Sequence, residues 1–243
     1  WGGSGVSERA LLAVVDLAEM AEKNKWLYRL EGKAAVRRIH RLADEKYGEV
    51  IVHDKKKATI SHFLTSLKSL LESPSVNRID VVIYLHGKNP EYEAGASVCF
   101  VGAPCLPMVD LAKKIRDLSG ENAWKLRMLY SDACWGKFHM DAWLNAGFRV
   151  VNGSRGVDAN HSADLRRFLK SWGRGATYED AVKKANRFWL TPITDELVGN
   201  ADSYKLMSGE ISVRPREGGG SIFAFTAQFD AVLESDMSVH GDV

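Results

Sequence analysis

Two short runs of apolar residues are the clearest pattern in the chain. Residues 81–87 and 126–136 each begin with mostly apolar, β-branched or aromatic side chains, as strands buried on both faces do. Each run then supplies a reactive side chain and a glycine: His86 stands directly before Gly87, and Cys134 stands two residues before Gly136. The pattern therefore predicts two buried strands that each deliver one reactive group at the carboxyl end.

The rest of the chain alternates between short apolar runs and segments with apolar residues at helical spacing. We expect further strands at residues 10–16, 50–52, 98–101 and 148–151, and helices at 30–46, 59–71, 109–118, 138–145, 163–172 and 178–188. A segment rich in glycine and proline at 88–107 predicts a loop or hairpin over the sheet edge, and 191–204 is predicted as a loop. Two late strand candidates, 204–213 and 222–229, lie on either side of a triple glycine.

This alternation sets the fold class. Strands that alternate with helices predict an α/β protein, a three-layer α/β/α sandwich with a mostly parallel central sheet. The chain of 243 residues is long enough to bury one substantial core, so we assign residues 1–243 to a single domain, with 230–243 as a partly ordered tail. The hydrophobic fraction of 45% and the charged fraction of 26% are ordinary for a soluble enzyme.

Charge and cysteine content bear on the partners and the cellular compartment of the protein. The 33 basic residues nearly balance 31 acidic ones, so the net charge of +2 gives no argument for a nucleic acid or a membrane as partner. No apolar stretch has transmembrane length. Cys99, Cys105 and Cys134 form neither an even set nor a metal-binding cluster, and a thiol-dependent enzyme favours a reducing compartment. We therefore predict a cytoplasmic protein without metal or cofactor.

The two reactive strand ends point to a family. In open α/β sheets, ligands bind beyond the carboxyl ends of the strands, where side chains distant in sequence converge. A histidine about 50 residues upstream of a cysteine is the spacing of caspase-type peptidases. On the motifs Leu85-His86-Gly87 and Asp132-Ala133-Cys134, the chain resembles the caspase-like (clan CD) cysteine peptidases, which include caspases, metacaspases, paracaspases, legumains, clostripain and separases. The resemblance implies the caspase-like sandwich and peptide-bond hydrolysis by a cysteine.

The chemistry of a thiol assigns roles to both residues. A free cysteine is only a few per cent thiolate at neutral pH, so Cys134 needs a neighbouring base. His86 is the natural partner, because it stabilises the thiolate and later protonates the leaving amine. The resemblance implies an oxyanion hole formed by the backbone N–H groups of Gly87 and Cys134. No third residue that orients the imidazole is identifiable in the sequence, and the family commonly works with a dyad.

Three further residues are candidates for recognising P1, the substrate residue whose carbonyl is attacked. Strand side chains alternate with a period of two, so Asp132 points to the same side as Cys134 if the strand stays regular. An acidic residue at this offset is similar to that of clostripain, metacaspases and paracaspases, which implies Lys or Arg at P1, although legumains with an acidic residue there prefer Asn. Ser154 and Asp158, in the loop after the next strand, are candidate substrate contacts. Alternatively, Asp132 accepts backbone N–H bonds at a helix start or pairs with a basic neighbour, and Asp158 is a turn residue or a helix cap. An inward Arg155 would instead select an acidic P1.

We therefore predict a cysteine endopeptidase that cleaves protein or peptide substrates after Lys or Arg with a Cys134/His86 dyad, as a regulated effector protease. One alternative is an α/β-hydrolase that uses Cys134 on an ester or thioester, but that class places its histidine after the nucleophile, which stands in a Gly-x-Cys-x-Gly elbow. Another alternative is a catalytically silent adaptor that keeps the fold. Proteolytic processing, Ca²⁺ and an activating protein partner are candidate triggers, and nothing in the sequence selects among them.

Overall fold

The elements of the protein follow the predicted alternation. A computed structural model describes residues 5–19, 25–91, 95–159, 162–198 and 201–215. The strands are β1 (Arg9–Asp16), β2 (Glu49–Asp54), β3 (Arg78–Lys88), β4 (Ser97–Cys99), β5 (Leu106–Pro107), β6 (Leu126–Ser131), β7 (Val150–Ser154) and β8 (Lys205–Gly209). The helices are α1 (Lys25–Ala43), α2 (Ile60–Glu72), α3 (Met108–Ser119), α4 (Met140–Asn145), α5 (Ser162–Trp172), α6 (Tyr178–Asn186) and α7 (Thr191–Leu197).

The main sheet has the strand order β2-β1-β3-β6-β7-β8. The first five of these strands are parallel, and β8 runs antiparallel to β7 at the edge. Strands β4 and β5 form a hairpin that pairs with the carboxyl end of β3. The order reverses between β1 and β3, and such a switch point opens a crevice at the carboxyl ends of the two strands.

Helices cover both faces of the sheet because its central strands are apolar on both sides. In β1, Ala10, Leu12 and Val14 belong to one buried cluster, whereas Leu11 and Ala13 belong to the other. The first cluster includes residues of α2, α3 and α4, and the second includes residues of α1, α5 and α6. The fold is therefore the predicted three-layer α/β/α sandwich with a mostly parallel sheet.

Two sequence predictions about elements are wrong. The segment 191–204, predicted as a loop, contains α7, in which Pro192 lies within the first turn. Proline is tolerated there because the first N–H groups of a helix have no intrahelical partner. The second error concerns the strand before Cys134: β6 ends at Ser131, so Asp132 lies outside it and the period-two argument for its direction does not apply.

Two of the three cysteines are paired, a disulfide that the sequence analysis did not predict. A disulfide joins Cys99 and Cys105, which closes the β4–β5 hairpin, while Cys134 is free. Among the described helices, none combines the length and apolar character required to cross a bilayer. The strand candidate at 222–229 and the predicted tail at 230–243 lie outside the described residues.

Candidate active site

Two adjacent strands carry the predicted dyad. Strands β3 and β6 are parallel, with Ile83 beside Ser131, so His86 and Cys134 follow at equal distances along the chain beyond this pair. Gly87 lies against the backbone of Cys134: a Cβ on Gly87 would be 2.1 Å from the Cys134 carbonyl oxygen. Any larger residue would push the end of β3 away from the nucleophile, which explains why glycine follows the histidine.

A backbone carbonyl fixes the imidazole of His86. Its Nε2 lies 2.7 Å from the carbonyl oxygen of Leu17, in the segment that follows β1. A carbonyl oxygen only accepts hydrogen bonds, so the proton of the neutral ring is on Nε2 and Nδ1 is the basic nitrogen. The ring of Tyr28 packs edge-on against the imidazole, with ring centroids 5.7 Å apart. These two contacts fix the orientation of the His86 imidazole, for which the sequence offered no third residue.

The loop after β6 presents Cys134 through close backbone contacts with the end of β7. Trp135 has a φ of 58°, in the left-handed region, and its N–H donates to the Gly156 carbonyl at 2.8 Å. Gly136 crosses Gly153 so closely that a Cβ on Gly136 would lie 2.7 Å from the Gly153 Cα. A left-handed residue other than glycine costs free energy, and such strain is concentrated at functional sites.

Ser154 helps to hold this loop. The residue is fully buried, and its Oγ lies 2.9 Å from the Ala133 carbonyl oxygen and 3.1 Å from the Gly156 carbonyl oxygen. The same oxygen accepts the N–H of Gly136 at 3.4 Å. These bonds place the hydroxyl under the nucleophile loop, so the geometry favours a supporting role for Ser154 over the predicted contact with substrate.

The surroundings of Cys134 disfavour its thiolate form. Burial raises the pKa of the thiol to about 11, and the backbone N–H of Asp158, which points at Sγ from 3.4 Å, offsets only part of that rise. A thiol with this pKa is a poor nucleophile at neutral pH. Reaction of Cys134 at neutral pH would therefore need a base that takes its proton.

A buried charge cluster lies beside the nucleophile. Lys205, at the start of β8, places Nζ 2.8 Å from Asp132 Oδ1 and 2.5 Å from Asp164 Oδ2, and it also contacts Asp158 Oδ2. All four side chains are at most 5% exposed. We call these four residues the acid–lysine cluster. It gathers three acidic side chains around the ammonium group of Lys205 in the interior of the protein.

The protonation of the cluster reflects burial and mutual repulsion. Burial, followed by the neighbouring Asp164 carboxylate, raises the pKa of Asp132 well above its ordinary value of 3.8. Burial lowers the pKa of Lys205, but the three carboxylates outweigh it, and the net pKa lies well above 10.5. Lys205 is therefore an ammonium ion at neutral pH.

Solved structures identify the fold that presents this site. The crystal structure of the Drosophila initiator caspase Dronc matches with a TM-score of 0.58 and 13% sequence identity, over 86% of this chain and 82% of that chain. The chain has a caspase-like fold. The crystal structure of the Arg-specific cysteine proteinase gingipain R also matches, with a TM-score of 0.52 and 11% identity, over 84% of this chain and 46% of that chain. No family model matches the chain, and no curated protein sequence matches it.

The caspase-like fold brings together more residues than sequence reasoning found. Lys205 and Asp164 were not singled out, because one lies in the late strand candidate 204–213 and the other on a predicted helix, with no motif to connect them. Asp132 and Asp158 were predicted separately, and the structure places both against Lys205. Arg155 lies on the outside, with its guanidinium stacked 4.6 Å from the ring centroid of Tyr204.

A cavity of about 600 Å³ lies at the carboxyl ends of β1 and β2. Its lining includes Leu17, Tyr28 and the exposed turn Lys55–Lys57. Leu17 and Tyr28 also contact the imidazole of His86, so the cavity lies next to that residue.

Proposed function

We propose that the protein is a cysteine endopeptidase in which Cys134 is the nucleophile and His86 the acid–base catalyst. One observation carries the proposal: at adjacent strand ends, the imidazole is fixed through Nε2 by the Leu17 carbonyl, which leaves Nδ1 as its basic nitrogen. Activity in this fold class requires a cysteine and a histidine at these two strand ends, and both are present.

The proposed reaction begins with proton transfer from Sγ of Cys134 to Nδ1 of His86 as the thiolate attacks the carbonyl carbon of P1. The backbone N–H groups of Gly87 and Cys134 stabilise the resulting oxyanion. The imidazolium then protonates the departing amine, which breaks the peptide bond and leaves a thioester on Cys134. Water deprotonated by His86 hydrolyses the thioester and restores the free thiol.

A basic P1 residue is the specificity we propose, with Asp132 and Asp158 as the residues that recognise it. Three observations support this choice: both carboxylates lie beside the nucleophile, they already bind an ammonium group, and the matched gingipain R is named as Arg-specific. An ion pair with P1 involves charge-assisted hydrogen bonds, which are stronger than neutral ones.

A silent adaptor is the second candidate, because the resting thiol of Cys134 has a pKa of about 11. In a peptidase the thiol of Cys134 attacks the peptide carbonyl, whereas in an adaptor it does not react. Regulated activity, through processing, Ca²⁺ or an activating partner, also remains a proposal.

For the location, the Cys99–Cys105 disulfide favours an oxidising compartment over the cytoplasm that the free thiol had suggested.

A thiol label combined with a peptide library that varies only P1 tests the function. We expect Cys134→Ala to lower turnover by at least about 10³-fold. For His86→Ala we expect a loss of about 10²–10⁴-fold, because general acid–base catalysis contributes that much. His53→Ala is the matched control, since His53 lies in β2, two strands away, and bonds Ser66. Retained turnover in Cys134→Ala would refute the dyad.

The pH dependence of labelling gives a second readout without any substrate. Iodoacetamide reacts with the thiolate, so with a pKa of about 11 the labelling rate of Cys134 should rise roughly tenfold per pH unit between pH 7 and 10. A plateau already at pH 7 would show that the resting thiol is ionised, contrary to the structure.

A further inference from the structure

We propose that the cavity next to His86 binds the primed side of the substrate, the residues after the scissile bond, and selects acidic side chains at P3′ and P4′. The inference rests on the proposed peptidase function and adds a second determinant to its specificity. The protein then recognises a basic P1 residue on one side of the nucleophile and acidic residues on the other side.

The order of the strands gives the direction in which the substrate runs. The P1 candidates Asp132 and Asp158 follow β6 and β7. Cys134 also follows β6, and His86 lies on the neighbouring strand β3. Because His86 protonates the leaving amine, which belongs to P1′, the primed residues lie on the His86 side of Cys134. The next strands in that direction are β1 and β2, whose carboxyl ends hold the cavity.

The distance across the sheet identifies the substrate positions that reach the cavity. Neighbouring strands lie about 4.8 Å apart, so β1 and β2 are about 10 and 14 Å from β6, the strand that precedes Cys134. An extended peptide advances about 3.3 Å per residue, so P3′ and P4′ lie about 10 and 13 Å from the P1 carbonyl. These two residues are therefore level with the carboxyl ends of β1 and β2.

The cavity shares two of its lining residues with the surroundings of the catalytic histidine. Leu17, whose carbonyl accepts from His86 Nε2 at 2.7 Å, lines the cavity, and so does Tyr28, whose ring packs against the imidazole. The volume of about 600 Å³ is typical of a ligand site and is large enough for two side chains. The cavity is therefore contiguous with the catalytic histidine, as a primed subsite must be.

Positive charge predominates around the cavity. Among the described residues, its exposed charged side chains are five basic and one acidic: Arg29, Lys33, Lys55–Lys57 and Glu19. Lys55 is 3.4 Å from Asp54, whereas Lys33, Lys56 and Lys57 form no ion pair within the part of the chain that the structure describes. These three ammonium groups are available to the carboxylates of a bound peptide.

The remaining acid of the lining is held by its own segment. Asp16 is buried at the end of β1, and its Oδ2 accepts the backbone N–H of Glu19 at 3.0 Å. Its carboxylate therefore stabilises the turn after β1 and does not project into the opening beside the lysines. Complementarity of charge thus favours acidic side chains over basic ones in the cavity.

The test uses quenched peptides that extend from P4 to P4′ and share Arg at P1. Three matched peptides carry Glu, Gln or Lys at both P3′ and P4′, and a fourth carries the Glu pair at P3 and P4. The cavity variant is Lys56→Gln/Lys57→Gln. The matched control is Lys113→Gln/Lys114→Gln, which removes the same charge from exposed lysines of α3, on the opposite face of the sheet from α1.

We expect wild type to cleave the Glu peptide with a kcat/KM about 3–10-fold higher than the Gln peptide, because each exposed ion pair contributes modestly. The Lys peptide should be the poorest substrate. The preference for Glu should fall below about twofold in the cavity variant, persist in the control variant and weaken as salt is added. An unchanged preference in the cavity variant, or an equal preference for Glu at P3 and P4, would overturn the inference.

Peptide binding to Cys134→Ala separates this inference from the proposed function, because this variant holds peptides without cleaving them. Its Kd for the Glu peptide, measured by fluorescence anisotropy, should be about 3–10-fold lower than for the Gln peptide. That difference together with a wild type that cleaves no peptide would support the cavity and refute the peptidase. Equal Kd values together with cleavage by wild type would refute the cavity alone, and the absence of any peptide binding or cleavage would refute both.

Discussion

Strands β3 and β6 each carry a charged residue near the amino end, Asp80 in β3 and Arg127 in β6. Each also presents a reactive residue at the carboxyl end, with His86 inside β3 and Cys134 three residues beyond β6. The charged groups are arranged differently at the two ends. At the amino end, Arg127 binds Asp80 through two parallel hydrogen bonds of 2.8 and 2.7 Å. Tyr47 and Trp172 complete the pair by donating to Asp80 Oδ2 at 2.6 and 3.1 Å. One positive charge meets one negative charge, and both side chains are fully buried.

The carboxyl end is built differently. There, three acidic side chains, Asp132, Asp158 and Asp164, surround the ammonium group of Lys205 beside Cys134. Buried charge is expensive unless it is compensated, and buried groups with perturbed pKa values are concentrated where chemistry or binding occurs. The comparison teaches that burial alone does not distinguish the two arrangements, because the ion pair and the cluster of acids are both fully enclosed by the fold.

The largest expected effect is on stability and comes from removing the Asp80–Arg127 ion pair at the amino end. Arg127→Met should lower the free energy of unfolding by about 3–5 kcal/mol, because it leaves the Asp80 carboxylate buried and unpaired. Urea denaturation measures the loss. The double variant Asp80→Asn/Arg127→Met should regain much of the lost stability, since it removes both charges. Stability of the single variant equal to wild type would show that the pair is not essential to the fold.

A smaller effect, on peptide cleavage, is expected from Asp132 at the carboxyl end. Asp132→Asn should reduce kcat/KM for Arg and Lys peptides by about 10–100-fold, the value of a lost charge-assisted hydrogen bond of about 1.5–3 kcal/mol. Labelling of Cys134 and cleavage of Leu peptides serve as controls. Preference for Asp, Asn or Leu at P1 in wild type would contradict a basic P1.

The smallest effect is expected at Arg155, which lies near the acid–lysine cluster in the chain but does not belong to it. Its guanidinium stacks on Tyr204, an exposed contact worth about 0.5–1 kcal/mol, and it does not join the acid–lysine cluster. Arg155→Ala should therefore change kcat/KM by less than about threefold for every P1 residue. Improved cleavage after Arg together with poorer cleavage after Asp would instead support an inward Arg155 that selects acidic residues.

Sequence reasoning predicted the strands well because burial on both faces leaves continuous apolar runs. Strands β3 and β6 are such runs: His86 lies near the end of β3, and Cys134 lies three residues beyond β6. The carbonyl of Leu17 could not be predicted, because any residue supplies a carbonyl and the contact with His86 depends on the relative placement of β1 and β3. Helix α7 was missed because none of its seven residues is buried, so no apolar face marks it in the sequence.

The acid–lysine cluster marks the limit of prediction from local sequence. Asp132 and Asp158 each follow a strand and were noticed for that reason, but Asp164 lies in the first turn of α5 and Lys205 begins an antiparallel edge strand. Only the assembled sheet, with Lys205 beside Ser154, brings the four together. Pairing across long stretches of chain leaves no signal in the spacing of the residues.

The high pKa of Cys134 has a consequence for the lifetime of the protein. The chain holds a free thiol and a disulfide near one another along the sheet, since Cys99 pairs with His86 across β4 and β3. Disulfide exchange and oxidation to sulfenic acid both proceed through the thiolate. Burial raises the pKa of Cys134 to about 11, which disfavours the thiolate at neutral pH. Oxidation of Cys134 and its exchange with the Cys99–Cys105 disulfide should therefore both be slow at neutral pH.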